Sequence, residues 1–195
     1  MAAEKARWRE RFRAVRQSLP AEVRAAASAE IVRQLAAVVG ERREGESAGG
    51  ADAVALFWPL PGEVDLRPLA ESLYASGVRV ALPVVVGDRQ LAWRAFEGAG
   101  RLVHGPWGLR EPAATAEAVA PSRLAVVAVP GLAFGRDGSR LGTGGGFYDA
   151  ALAETAALRV GVAFASALVA AVPSEPHDQR LHGVVTEAGM TWAGI

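Results

Sequence analysis

The chain contains no cysteine. Disulfides, zinc–cysteine sites, iron–sulfur clusters and cysteine nucleophiles are therefore excluded. Lysine is almost as scarce, since Lys5 is the single lysine among 21 basic residues. A Walker A loop needs Gly-Lys-[Ser/Thr], so no P-loop exists here. Neither sign of charge is in excess, because Lys+Arg and Asp+Glu both number 21. That balance argues against a general nucleic-acid binder, whose footprint is basic. No apolar run approaches ~18 residues, so no segment reads as membrane-spanning. A secretory apolar stretch is also missing from the N-terminus. What is present is 195 residues, 51% of them apolar and 22% charged. One domain over residues 1–195 with a substantial core is expected.

Residues 3–19 read as an amphipathic helix, with Trp8, Phe12, Val15 and Leu19 on one stripe. Lys5, Arg9, Arg13 and Arg16 form a second, basic stripe. Glu4, Glu10 and the lack of serine before Ser18 set this start apart from an Arg-rich mitochondrial presequence. A second helix is predicted from Pro20 to Gly40, followed by a surface loop over residues 41–50. Strands are predicted at Ala53–Trp58, at Val78–Leu82 (stopped by Pro83), at Leu91–Phe96 as an edge, and at Leu124–Val129. Two more follow at Arg159–Phe164 and Gly183–Thr186, the last closing the series. Helices are expected from Asp65 to Tyr74 and from Phe147 to Ala157, with residues 98–122 irregular. Alternation of unbroken apolar strands with helices implies an α/β fold: three layers, a largely parallel sheet, helices on both faces and an N-terminal helical pair. Ligands in such sheets sit beyond the carboxyl ends of strands.

Two segments that follow strand ends carry unusual residues. Seven of the 16 residues from Gly131 to Gly146 are glycine. The run Gly142-Thr143-Gly144-Gly145-Gly146 opens a helix, where backbone N–H groups and a partial positive charge favour an anion. Arg140 adds a full charge beside it, and Asp149 in the first helical turn can hold a metal. A flexible glycine turn is the plain alternative. The dinucleotide pattern G-x-G-x-x-G fails at Phe147, which disfavours a Rossmann site. The basic stripe suits a polyphosphate, or equally arginine stems lying along the apolar edge. Glu63, after Pro61-Gly62, can accept from a ligand's amine edge. Trp58 and Trp107 can wall a flat ring or simply pack. His104, His177 and His182 have no triad-like or zinc-like spacing, and His177-Asp178 reads as a loop contact.

These residues resemble the 5-formyltetrahydrofolate cyclo-ligase family nearly end to end. The resemblance is carried by Lys5-Ala-Arg-Trp-Arg9, Pro61-Gly-Glu-Val-Asp65 and Val129-Pro-Gly-Leu-Ala-Phe134. Most specific is Arg140-Leu-Gly-Thr-Gly-Gly-Gly-Phe-Tyr-Asp149, and Pro173-Ser-Glu-Pro-His-Asp178 and Val184-Val-Thr-Glu187 follow in order. It implies an enzyme that closes 5-formyltetrahydrofolate to 5,10-methenyltetrahydrofolate with ATP and Mg²⁺, releasing ADP and phosphate. By the same resemblance Lys5, Arg9, Arg140, Leu141, Gly142, Thr143, Gly144, Gly145, Gly146, Phe147 and Tyr148 would bind ATP. Arg140 and Tyr148 would be catalytic, and Asp149 would ligate Mg²⁺. Trp58, Glu63, Trp107, Thr143 and Phe147 would meet the folate. Three positions depart from the family pattern: Thr143, Phe147 in place of tyrosine, and His182 where an aspartate usually assists the metal. They leave room for a catalytically silent folate- or nucleotide-binding regulator on the same scaffold. A cytoplasmic monomer acting on small molecules, without nucleic-acid or membrane partners, is expected.

Overall fold

A computed structural model describes residues 1–45 and 50–194. The chain begins with helices α1 (Ala2–Ser18) and α2 (Ala21–Gly45). Strand β1 (Ala53–Ala55), helix α3 (Arg67–Ala75), β2 (Arg79–Gly87) and β3 (Gln90–Ala95) follow. Then come β4 (Leu102–His104), β5 (Arg110–Pro112), β6 (Leu124–Val129), β7 (Ala133–Gly135) and β8 (Arg140–Leu141). Helix α4 (Phe147–Ala153) precedes β9 (Leu158–Val162), β10 (Leu168–Val169), β11 (Gly183–Thr186) and β12 (Gly189–Trp192).

The main sheet has the order β12-β11-β9-β6-β1-β2-β3. Its five central strands are parallel, and an antiparallel strand closes each edge. The central strands are buried on both faces, as their near-continuous apolar runs require. On one face α2 and α3 pack Ile31, Leu35, Val39 and Leu69 against Val54, Val80, Val126 and Val160. On the other, α4 sets Ala151 and Leu152 against Ala55, Ala81, Val127 and Val129. The fold is thus the expected three-layer α/β arrangement. A separate small cluster joins Phe12 of α1 to Leu132, Ala133, Leu141 and Val172, beside the small sheet β10-β7-β8.

Several boundaries differ from the sequence reading, each for a local reason. β2 does not stop at Pro83 but runs to Gly87. Beyond Ala81 it has outrun β1, and Pro83 is paired only with Trp93 of β3. Because the Trp93 carbonyl accepts instead from Val119 at 2.8 Å, the Pro83 nitrogen faces the bare side, where its missing N–H costs nothing. α2 continues past Gly40 to Gly45, so the predicted loop begins later; residues 46–49 lie outside the described ones. Helix α4 ends at Ala153 instead of Ala157. Residues 98–122 are not wholly irregular, since β4 and β5 form a hairpin within them. β11 is not the final strand, because β12 turns back along it.

The strand order reverses between β1 and β6, the crevice where open α/β sheets bind ligands. Both chemistry-bearing segments start there, one after β1 and one after β6.

Candidate active site

A cleft of about 940 Å³ opens beyond the carboxyl ends of β1 and β6. All the predicted site residues line it: Lys5, Arg9, Trp58, Glu63, Trp107, and every residue from Arg140 to Asp149. Six chain segments converge to build it, so no stretch of sequence contains it.

The glycine run and the start of α4 form one wall. Gly144 has φ +113° and Gly146 φ +73°, a left-handed backbone that glycine adopts without strain. A side chain at Gly142 would meet Arg140 Nη1 at 2.8 Å. Arg140 itself is buried, with its side chain 5% exposed. Its Nη2 donates to Asp149 Oδ1 at 2.8 Å and its Nη1 to the Pro130 carbonyl at 3.3 Å. Its Nε is buried without a partner. The Tyr148 ring lies 5.9 Å from the Arg140 guanidinium and edge-on to Trp93 at 6.3 Å. Tyr148 Oη is likewise buried and unpaired. Burial, with the Glu63 charge adding to it, pushes the phenol far above its ordinary value. Tyr148 is therefore a hydrogen-bond donor in this site and no base.

α1 supplies a second wall. Arg9 Nε donates to the Gly142 carbonyl at 3.1 Å, which ties the helix to the glycine run. Lys5 is buried and bonds two carboxylates, Asp178 Oδ2 at 2.6 Å and Glu175 Oε2 at 2.9 Å. Burial pulls its pKa down, but the two carboxylates outweigh this and hold it above the ordinary lysine value. Lys5, which the resemblance assigns to ATP, thus already has two acidic partners. Asp178, read from sequence as a loop contact, is a cleft residue. Its carboxyl and that of Glu175 are both held below the usual carboxylate range. For Asp178, burial opposes the effect and Lys5 with the Glu175 backbone N–H overcomes it; for Glu175 the Lys5 hydrogen bond dominates. The signal in the sequence was the acidic pair at a three-residue spacing in the proline-bounded stretch 173–178.

The third wall follows β1. Pro61-Gly62 makes a tight turn in which Glu63 N–H donates to the Leu60 carbonyl at 3.0 Å, with Gly62 at φ +84° as a type II turn demands. Glu63 accepts from Leu60 N–H and from Arg16 Nη1, both at 3.0 Å. Trp58 packs partly against Phe96 at 5.7 Å and keeps a face on the cleft. Trp107 stands at the tip of the β4–β5 hairpin, 72% exposed, edge-on to Phe147 at 5.7 Å. Its φ of +55° is rare for a bulky residue and costs on the order of 1–3 kcal/mol. Glu111 also lines the cleft and was missed; it is buried and accepts from Val85 N–H at 3.3 Å.

His182 is not in this site. It stands just before β11, with Nδ1 accepting from Arg159 N–H at 2.9 Å at the opposite end of the strands. Burial first, then the Arg159 and Arg42 charges, keep its pKa below the ordinary range. Its departure from the family pattern therefore does not remove a group from the cleft.

For a divalent cation the cleft offers carboxylate oxygens, the donors Mg²⁺ prefers. Asp149 uses Oδ1 for both Arg140 and Gln179 N–H, leaving Oδ2 out of those bonds. No cluster of three or more His, Asp or Glu side chains that could hold a metal occurs among the described residues.

A family model described as the 5-formyltetrahydrofolate cyclo-ligase family matches residues 1–187. The chain is 38% identical over 142 residues to the 5-formyltetrahydrofolate cyclo-ligase of Escherichia coli (strain K12), covering 70% of this chain and 78% of that one. To the enzyme of the same name from Mycolicibacterium smegmatis it is 36% identical over 143 residues, covering 68% and 72%. The solution structure of 5,10-methenyltetrahydrofolate synthetase from Aquifex aeolicus superposes with a TM-score of 0.80 at 29% identity, covering 98% of this chain and 93% of that one. With its glycine run, Arg140 and Asp149 gathered at the switch point of such a sheet, the chain belongs to the 5-formyltetrahydrofolate cyclo-ligase family.

Proposed function

We propose that the chain catalyses the ATP-driven closure of 5-formyltetrahydrofolate to 5,10-methenyltetrahydrofolate. The observation that carries this reading is the buried Arg140 guanidinium, held by Asp149 against the glycine run, in one cleft with Glu63 and the two tryptophans. In the proposed reaction the γ-phosphoryl group passes from ATP to the formyl oxygen. N10 then attacks the formyl carbon and gives up its proton to water, and phosphate leaves with that oxygen.

Such a transfer needs positioning and charge neutralisation more than a protein nucleophile. Arg140 and Arg9 would face the phosphates, with Lys5 at the same wall, while the N–H groups of residues 142–146 would cradle them. Tyr148, kept un-ionised by burial, would donate its proton in a hydrogen bond to a phosphate or formyl oxygen. Asp149 and Asp178 would hold Mg²⁺, which supplies charge neutralisation on the phosphate oxygens when bound. Glu63 would accept from the N–H edge of the pterin, with Trp58, Trp107, Thr143 and Phe147 bounding the folate. A cytoplasmic monomer working on these two small molecules is part of the proposal.

The test is direct. Purified protein mixed with Mg-ATP and 5-formyltetrahydrofolate is expected to develop the near-ultraviolet absorbance of the methenyl product. No ATP-dependent signal at substantial protein concentration overturns the reading. Tight folate binding without turnover would select the silent regulator in its place.

A further inference from the structure

Glu63 lines the cleft with its side chain only 12% exposed. Its two oxygens are each engaged once, Oε2 by Leu60 N–H and Oε1 by Arg16 Nη1. Arg16 is not a cleft residue. It comes from α1 and borders a small adjoining cavity of about 30 Å³, lined also by Phe12, Gly62, Val64 and Glu63 itself. Its stem crosses the turn at Gly62, where an added Cβ would sit 3.5 Å from Arg16 Cγ. The guanidinium is thus seated by packing before it meets the carboxylate, and such a charge-assisted bond is directional.

We propose that Arg16 is a positioning residue for the folate half of the site, fixing through its bond to Glu63 the carboxylate that meets the pterin N–H edge. This rests on the reading of Glu63 given above. Glu63 sits where burial pushes its pKa up, opposed by Leu60 N–H and by Arg16. The titratable groups acting on it are Arg16 from α1 and Tyr148 from α4. The Leu60 N–H and Arg16 are the two groups that favour the carboxylate against burial, and of these Arg16 alone carries a charge. A protonated Glu63 would present a donor where the amine edge needs an acceptor.

The experiment compares Arg16→Met, Arg16→Lys and Glu63→Gln by steady-state kinetics in each substrate and by pH profile. Arg16→Met is expected to raise KM for 5-formyltetrahydrofolate about tenfold and leave KM for ATP within about twofold, a charge-assisted bond being lost in one half only. The acidic limb of kcat/KM for the folate should move to higher pH by about one unit. Arg16→Lys should recover part of both effects, and Glu63→Gln should raise the folate KM while abolishing that limb. A role confined to stability would lower the melting temperature and move neither the KM split nor the limb. If Glu63→Gln raises the folate KM but Arg16→Met changes neither the folate KM nor the limb, the positioning role is overturned. If Glu63→Gln leaves the folate KM unchanged, the reading of Glu63 falls and this proposal with it. Should the Met variant not fold, Arg16→Gln, which keeps a donor without the charge, must show the same limb shift.

Discussion

Lys5 is a buried cation whose charge is balanced by Asp178 and Glu175, with its side chain 8% exposed. Removing it would leave two carboxylates facing each other in a partly desolvated wall. Lys5→Met is therefore expected to lower unfolding free energy by about 2 kcal/mol at neutral pH, the scale of hydrogen bonds to charged groups. Urea melts would read this. The pH dependence follows from the directions of the shifts. The folded pKa values of Asp178 and Glu175 are depressed, so their contribution is complete above roughly pH 4 and is lost as pH falls through the folded values. Lys5 is raised, so its contribution is complete below its unfolded value and is lost only as pH rises through the folded one. The stability gap between parent and Lys5→Met should therefore be widest near neutrality and close in acid. A gap that persists unchanged at pH 3 would contradict this. In the sequence Lys5 stands out as the lone lysine, but its partners lie 170 and 173 residues away. No local pattern reports such a pairing, and Asp178 was accordingly read as an ordinary loop residue.

At the scale of elements, the glycine run is a geometric device whose parts can be separated. Gly142 has no positive φ, but a Cβ there would press on Arg140 Nη1 at 2.8 Å. Gly142→Ala should fold with little loss of stability, since the obstacle is the end of a long side chain. It should nonetheless displace the guanidinium that Asp149 holds and lower kcat/KM for ATP by about tenfold or more, equivalent to roughly 1.4 kcal/mol in the barrier. Steady-state kinetics beside a thermal melt would decide it, and an unchanged kcat/KM would show that Arg140 is not needed where it stands. Elements whose boundaries are set by their own residues were the legible ones. β6 and β11 occupy the predicted Leu124–Val129 and Gly183–Thr186, because each is a short buried run whose flanks turn polar or, after Val129, to proline. Elements whose limits depend on neighbours were not. Pro83 stops a strand only if its nitrogen faces a partner, and here β1 has already ended. Gly40 ends a helix only if it turns left-handed, and here its φ is not positive, so α2 continues. The β4–β5 hairpin that carries Trp107 is three residues to a strand, too short for any periodicity to register.

For the whole molecule, the zero net charge conceals a division of labour along α1. Six of the 21 basic residues fall within the first 16; Lys5 and Arg9 reach the wall proposed for the nucleotide, while Arg16 stands behind the one proposed for the folate. About eleven residues separate Lys5 from Arg16, roughly 17 Å of helix, so a single rigid element touches both halves of the cleft. Its apolar anchorage is smaller than that of α2, although Lys5, Arg9 and Arg16 add polar contacts. Only Lys5 and Phe12 of α1 are buried, and Phe12 belongs to a small cluster apart from the main core. One fully buried phenylalanine contributes roughly 1.5–3 kcal/mol. α2 by contrast places Ile31, Leu35, Val38 and Val39 in the large cluster against the sheet. Local opening of α1 should therefore be far less costly than that of α2. A nucleotide that bonds Arg9 and bridges α1 to the glycine run binds only the docked helix, and at a hundred times its dissociation constant it would add about 2.7 kcal/mol to that state. Hydrogen exchange followed by mass spectrometry should accordingly find α1 amides exchanging at least tenfold faster than those of α2 in the free protein. Mg-ATP should slow α1 by about a hundredfold and leave α2 nearly unaffected. Equal protection of the two helices without ligand, or nucleotide protection spread evenly over the molecule, would mean that α1 is a fixed part of the core and not the element through which the site assembles.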